Sequence, residues 1–293
     1  MSTPEIPRPT DDELDFFGIT DRGKVRPDNQ DQFLVSTIHP QVVIHGTSLT
    51  QTDGLPLRGT RLATVLLIAD GVGGAEAGSE AARVATEAVT RFVSSTLRCY
   101  HAAGASRDEE FLDALRSAAL EAHSAVLSEA SQRPDGGKMA TTLTLSIVVW
   151  PWLYVVQVGD SRAYFYDGEL RQITRDQTIG QELVDQGVLP ADRLSKSPFK
   201  HVLSSAIGAD AALPVVTSVG IRKAGAIILM CSDGLTKHVS DDELASALKN
   251  VESSEKLVRG LLELALSRGG KDNITIIAAR AQRKNPVNPA RSA

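Results

Sequence analysis

Four aspartates stand where apolar segments of this chain begin or end: Asp70 after "TVLLIA", Asp233 after "AIILMCS", Asp160 after "LYVVQVG" and Asp272 just before "NITIIAA". A carboxylate at the end of a buried strand must be solvated, paired or bound to a metal, because an isolated buried charge is too costly to keep. If the four converged they would repel one another, and a pair of divalent cations is the simplest remedy. Ligation by oxygen alone suits Mg²⁺ or Mn²⁺. Zn²⁺ usually takes His or Cys, and the six histidines form no HxH or HExxH spacing. On spacing alone, separate strand-end turns account for these aspartates as well as a shared metal site does. Asp and Gly are both favoured in turns, and the Asp-Gly pairs at Asp53, Asp135 and Asp167 are read that way.

The elements that must position these residues follow from periodicity. From Ser79 the positions Ala81, Ala85, Val89, Phe92 and Thr96 recur every three or four residues, and Phe111, Leu115, Ala119, Ala122 and Val126 do the same, so two helices should each cover a core. After them "TLTLSIVVW", "LYVVQVG" and "RAYFYDGELRQIT" predict an antiparallel meander, with a tight hairpin at Asp167-Gly168. A helical "TIGQELVDQG", a strand at 226–232, helices near 241–249 and 254–268, and a last strand at 273–279 complete the pattern. Runs of strands followed by runs of helices favour an antiparallel sheet core with helices outside it over a doubly wound parallel sheet.

With 293 residues, 42% hydrophobic and 23% charged, the chain has globular composition. A net charge of -5 supplies no global basic field, which argues against a nucleic-acid partner held by counterion release. The longest apolar runs fall far short of the ~20 residues that cross a bilayer, so no membrane span is expected. "MSTPEIPRPTDDELD" carries no basic segment leading into an apolar one, and a cytoplasmic location is the expectation. Cys99 and Cys231 are expected to pack as small apolar groups rather than form a disulfide framework. Residues 1–13 and 281–293 read as flexible ends around one folded unit, 14–280.

The ordered set "TDRGKVRPDNQDQF" (20–33), "ADGVGG" (69–74), "GDSRAY" (159–164), "CSDGLT" (231–236) and "GGKDNIT" (269–275) resembles the metal-dependent protein phosphatases, the protein phosphatase 2C family. Any one motif is weak, whereas five in family order are specific. The resemblance implies an α+β fold, a four-layer α-β-β-α sandwich of two antiparallel sheets flanked by helix pairs, with a binuclear Mn²⁺ or Mg²⁺ centre at one end. It implies that Asp70 bridges both ions, that the Gly71 carbonyl binds the second, and that Asp233 and Asp272 complete the first. Asp160 would match a ligand of a third, weaker ion shared with Asp233, or else anchor the turn before Ser161. Arg26 matches the phosphate-binding arginine, a role suited to a guanidinium fork. Asp31 matches the acid that holds a metal-bound water. Arg22 and Lys24 read as a solvated basic rim.

By resemblance the activity is hydrolysis of phosphoserine and phosphothreonine in proteins by direct attack of a metal-activated water, in a monomer that opposes a serine/threonine kinase. Neither a "CxxxxxR" loop nor a "DxDx" motif is present to form a phospho-enzyme. Several positions depart from the family pattern. Gln30 replaces a common Glu beside the second metal, which should weaken binding there and raise the metal requirement. Val72 and Ala75 stand where relatives carry histidines, so no general acid is evident. His201 is read as an ordinary surface or core histidine, although its segment resembles a mobile flap. Gln177 and Ala140 are expected to be tolerated. The long connection at 36–62 reads as an elaborated hairpin or a partner contact. Two other readings remain: an inactive relative kept as a binding module, and a metal-dependent nuclease or small-molecule phosphohydrolase using the same carboxylates.

Overall fold

The structure is a computed structural model and describes residues 6–41, 44, 57–73, 75–103, 108–133 and 138–282. In chain order its strands and helices are β1 (Leu14–Asp21), β2 (Gln32–Ile38), β3 (Ala63–Ala69), β4 (Gly71–Val72), α1 (Ala75–Ala103), α2 (Asp108–Gln132), β5 (Ala140–Thr141) and β6 (Leu143–Val149). They continue as β7 (Trp152–Val158), β8 (Arg162–Tyr166), β9 (Leu170–Gln172), α3 (Ile179–Asp185), β10 (Val215–Gly220), β11 (Ile227–Cys231), α4 (Asp233–Thr236), α5 (Asp241–Lys249), α6 (Ser254–Ser267) and β12 (Ile274–Ala281). Two five-stranded antiparallel sheets result, in the orders β1-β12-β11-β8-β9 and β10-β7-β6-β3-β2.

The continuous apolar run of β3 follows from its place between two layers. Successive side chains of a strand point to opposite faces. Val65, Leu67 and Ala69 pack toward α1 and α2 with Ala81, Ala85, Val89, Ala119, Ala122 and Val126, the positions that the helical periodicity predicts. Leu66 and Ile68 point the other way, into a second core between the sheets with Phe165, Ile228, Met230 and Ile277. Fully burying each large aliphatic side chain stabilises by about 1.5–3 kcal/mol, so the strand that delivers Asp70 is fixed on both faces. On the far side of the other sheet, Leu244, Leu248, Leu257, Val258 and Leu261 of α5 and α6 cover Leu229, Ile274 and Ile276. The four layers are helix pair, sheet, sheet, helix pair, as expected.

The predicted meander is corrected. β6 pairs with β7 and β8 with β9, but β7 lies in one sheet and β8 in the other. The chain changes layer at Gly159, whose φ of 107° suits a residue without a side chain and whose missing Cβ would lie 2.7 Å from the Thr142 side chain. Strand periodicity is the same on either side of such a crossing, so sequence alone cannot reveal it. The crossing places Asp160 and Ser161 at one end of the sandwich.

β2 and β3 pair as a hairpin extended by the Gln41 and Arg58 backbone pair, and most of the 36–62 connection between them lies outside the described residues. Residues 6–13 run against the body of the fold: Trp150 Nε1 donates to the Ile6 carbonyl at 3.2 Å, and Arg61 donates to the Pro9 carbonyl at 2.8 Å and pairs with Asp11. The other parts of the expected flexible ends, 1–5 and 283–293, lie outside the described residues. Cys231 is fully buried and free, whereas nothing is described of the Cys99 side chain.

Candidate metal centre

At the sandwich end where β3, β7, β11 and β12 deliver their polar termini, a cleft of about 250 Å³ is lined by Arg26, Gln30, Asp70, Gly71, Asp160, His201, Asp233, Lys237 and Asp272, together with Val72, Gly73, Thr142, Leu203 and Asn273. Every residue that the sequence nominates as a ligand or phosphate contact is therefore in one place. Asp31 lies buried beneath them, 2% exposed.

Each carboxylate is held by its own local structure. Asp70 follows β3, its backbone N–H donating to Thr142 Oγ1 at 3.0 Å and its carbonyl accepting from the Thr142 N–H at 2.8 Å and Thr141 Oγ1 at 2.9 Å. Gly71 must be glycine, since a Cβ there would sit 2.4 Å from the Gly78 carbonyl oxygen. Asp233 opens the single-turn helix α4, and Gly234 beside it lets that turn meet β12: an added Cβ would lie 1.9 Å from the Asn273 carbonyl oxygen. Asp31 accepts hydrogen bonds on Oδ2 from Ser232 Oγ at 2.8 Å and Thr275 Oγ1 at 2.6 Å, while its buried Oδ1 has no hydrogen-bond partner.

The electrostatics match a set of anions gathered without enough positive charge. Burial pushes Asp70 well above the usual carboxylate range, and the charges of Asp31, Asp233, Asp160 and Asp272 push it further. Burial likewise raises Asp31 to about 6, against the hydrogen bonds from Thr275 and Ser232, and raises Asp160 to about 7, with Asp233 and Asp176 adding repulsion. Asp272 goes the other way: burial opposes its ionisation, but hydrogen bonds from Arg26 and Lys237 hold it below its ordinary value.

Two cations reach into this cluster, and one was missed in the sequence. Arg26 grips Asp272 with a fork, Nε to Oδ1 at 2.6 Å and Nη2 to Oδ2 at 2.9 Å, so the arginine that the resemblance assigns to phosphate here contacts a predicted metal ligand. Lys237, one helical turn after Asp233, places Nζ 2.6 Å from Asp233 Oδ2 and 2.7 Å from Asp272 Oδ2. The only available signal was the i,i+4 spacing from Asp233, which is common on any helix. Burial works against its charge, yet the two carboxylates raise the lysine pKa above its ordinary value. Arg22 and Lys24 are exposed, as expected of a rim.

His201 lies at the surface and borders the cleft. Among the described residues it is the histidine that lines the cleft, with Nδ1 4.0 Å from Asp233 Oδ2, and a ligand atom from each of Asp160, His201 and Asp233 lie within 4.8 Å of one another. Pairing of Thr178 with Leu203 anchors its segment beside the cleft, a contact with no local sequence signature. Burial and Lys237 lower its pKa. Asn273 was passed over too. Its Nδ2 donates to the Arg22 and Asp28 carbonyls at 2.9 and 2.8 Å, and its Oδ1 accepts from the Gln30 N–H at 2.9 Å, which pins the loop that carries Arg26 and Gln30. Gln177 supports the crossing: its Oε1 accepts from the Gly159 N–H at 2.7 Å and its Nε2 donates to the Leu213 carbonyl at 2.8 Å.

Carboxylate oxygens around a partly open cleft form a hard donor set that suits Mn²⁺ or Mg²⁺. Added positive charge would relieve the repulsion around Asp70. The residues present therefore fit a divalent metal centre.

Comparison with known proteins bears on the family of the chain. The sequence profile of protein phosphatase 2C matches residues 48–273. The chain is 35% identical over 218 residues to the serine/threonine protein phosphatase PstP of Mycobacterium tuberculosis, covering 74% of this chain and 40% of that protein. It is 29% identical over 259 residues to the serine/threonine phosphatase stp of Listeria monocytogenes, covering 88% and 92%. Among solved structures, the catalytic domain of PstP in complex with two manganese ions superposes with a TM-score of 0.70 at 29% identity, covering 92% of this chain and 99% of that one. This chain thus spans less than half the length of its mycobacterial relative and nearly all of the listerial one.

Proposed function

The chain belongs to the protein phosphatase 2C family, and from that premise we propose that it is a metal-dependent protein serine/threonine phosphatase whose centre is built on Asp70, Asp233 and Asp272. The observation that carries this reading is the convergence of these carboxylates, with Asp160 and Arg26, in one cleft. Asp70, the Gly71 carbonyl, Asp233 and Asp272 would hold two Mn²⁺ or Mg²⁺ ions, and Asp160 a third. When bound, such a pair lowers the pKa of a water and neutralises charge on the attacking and leaving oxygens of an in-line displacement.

The chain's own residues supply the rest. Arg26 is half-exposed at the cleft and can exchange its fork from Asp272 to two phosphoryl oxygens, a bidentate grip that lysine cannot make. Asp31, with Oδ1 unpartnered, can accept a hydrogen bond from the attacking water and orient it. His201 borders the cleft and in its protonated form can hand a proton to the departing serine or threonine oxygen, a form that its lowered pKa favours on the acid side of neutrality. A cysteinyl phosphate has no place in this scheme, because burial pushes the Cys231 thiol up to about 12 and keeps it from the nucleophilic thiolate form.

The relatives carry names that specify serine/threonine phosphatases, which supports phosphorylated proteins as substrates. The reading extends to signal transduction as a cytoplasmic monomer opposing a serine/threonine kinase; among the described residues no helix is long and apolar enough to cross a membrane. No observation favours the inactive binding module. The test is phosphate release from phosphoserine and phosphothreonine peptides with Mn²⁺ added or chelated. Turnover that needs added metal supports the reading, and a protein that releases no phosphate with metal present returns it to a binding module.

A further inference from the structure

Lys237 has no role in the scheme above, yet it lines the cleft and bridges two of its carboxylates. Its Nζ lies within 2.7 Å of one oxygen from each of two carboxylates that come from different elements, Asp233 at the start of α4 and Asp272 ahead of β12. Arg26 donates through Nε to Asp272 Oδ1 and through Nη2 to Oδ2, the oxygen that Lys237 also holds, so both oxygens of Asp272 are taken by side chains of the protein itself. The lysine side chain is 23% exposed, on the cleft, with Asp160 and His201 beside it.

We propose that Lys237 is a built-in competitor of the metal centre: its ammonium holds the Asp233 and Asp272 oxygens that a divalent ion would bind, and it must swing out of the cleft for that ion to enter. This rests on the reading of Asp70, Asp233 and Asp272 as the metal ligands. The chemistry favours a lysine for the task. An ammonium is a compact point charge on a flexible four-carbon stem, able to bridge two carboxylates and then leave by rotation of that stem. One positive charge partly offsets the repulsion among the aspartates, which keeps the centre assembled between metal-binding events. The same charge opposes the entry of a divalent ion, so the protein should respond to metal over a higher concentration range than its carboxylates alone would set. Arg26 is not equivalent, since it contacts one carboxylate and has a phosphate group to receive.

The experiment compares wild type with Lys237→Gln. Calorimetric titration with Mn²⁺ should show the variant binding about tenfold more tightly, a gain of about 1.4 kcal/mol. The chelated variant should melt at a lower temperature than chelated wild type, and Mn²⁺ should raise its melting temperature by more. Equal or weaker Mn²⁺ affinity in the variant overturns the proposal. Should the variant fail to fold, wild type alone decides: acetylation by acetic anhydride, read by peptide mass spectrometry, should modify Lys237 faster with Mn²⁺ than with chelator. Equal or slower modification with Mn²⁺ also overturns it. A wild type that binds no Mn²⁺ overturns the metal centre itself and the competitor with it, so the two failures are distinguishable.

Discussion

Replacing Asn273 with Ala should both destabilise the fold and loosen the phosphate end of the site. The side chain is 6% exposed and makes three hydrogen bonds of 2.8–2.9 Å, two as donor to the Arg22 and Asp28 carbonyls and one as acceptor from the Gln30 N–H. Each such bond contributes about 1 kcal/mol net, so Asn273→Ala is expected to cost about 3 kcal/mol. In a chain of this length that corresponds to a fall of roughly 6 °C in melting temperature. The loop it releases carries Arg26 and Gln30, so KM for a phosphothreonine peptide should rise severalfold at saturating Mn²⁺ while the mutant remains folded. Urea unfolding and steady-state kinetics on the same preparations test both effects. A melting point within a degree of wild type with unchanged KM would refute the clamp.

Other expectations follow from the same geometry. Gly234→Ala forces a Cβ to within 1.9 Å of the Asn273 carbonyl oxygen and should destabilise by more than about 3 kcal/mol or prevent soluble expression; normal melting of that variant would contradict the close approach. Gln30→Glu adds a formal charge to the cleft, beside the proposed second metal ion, and should lower the Mn²⁺ concentration for half-maximal activity, read from a metal titration of phosphatase rate; a higher requirement would contradict it. In chelator, Asp31 near 6 and Asp160 near 7 keep protons that the unfolded chain, with carboxylates near 3.8, has released. Their contribution is complete below the unfolded value and is lost as pH rises through the folded ones, so the melting temperature should fall between about pH 4 and 7, and saturating Mn²⁺ should flatten that fall. Thermal melts across pH with and without metal decide it, and chelated protein that grows more stable through this window would argue against a crowded anionic site. Asp15 has the opposite sign. Burial opposes its ionisation, but hydrogen bonds from Arg280, the Ser254 N–H and Gln282 hold its pKa below the usual value, so its stabilising contribution is present at neutral pH and lost in acid. In Asp15→Asn the acid-induced loss of stability should be smaller.

The site was legible in the sequence to the extent that its chemistry sits on strand ends. Asp70 and Asp233 follow runs of residues buried on both faces, and a charge after such a run is conspicuous before any fold is known. The helix pair α1 and α2 was legible for a related reason, since one face must repeat every three or four residues to cover a sheet. What escaped depends on register and on contacts distant in sequence. Ser232 and Thr275 hold Asp31 because β11 and β12 are aligned so that Cys231 faces Ile276, an alignment that neither strand encodes alone. β10 has a mixed pattern of half-buried and exposed residues at a sheet edge, which carries no clear period. Lys237 and Asn273 are ordinary polar residues by type, and their importance lies in which oxygens they reach. The change of sheet at Gly159 escaped because alternation continues unchanged through it.

The most direct test of the central claim is the anomalous scattering of Mn²⁺ in crystals of this protein soaked with the metal, for wild type and for Asp233→Asn. The account predicts two strong peaks among Asp70, Gly71, Asp233 and Asp272 in the wild type, with the peak beside residue 233 weakened or gone in the variant. Manganese bound elsewhere, or wild-type peaks that leave Asp70 and Asp233 untouched, would contradict it.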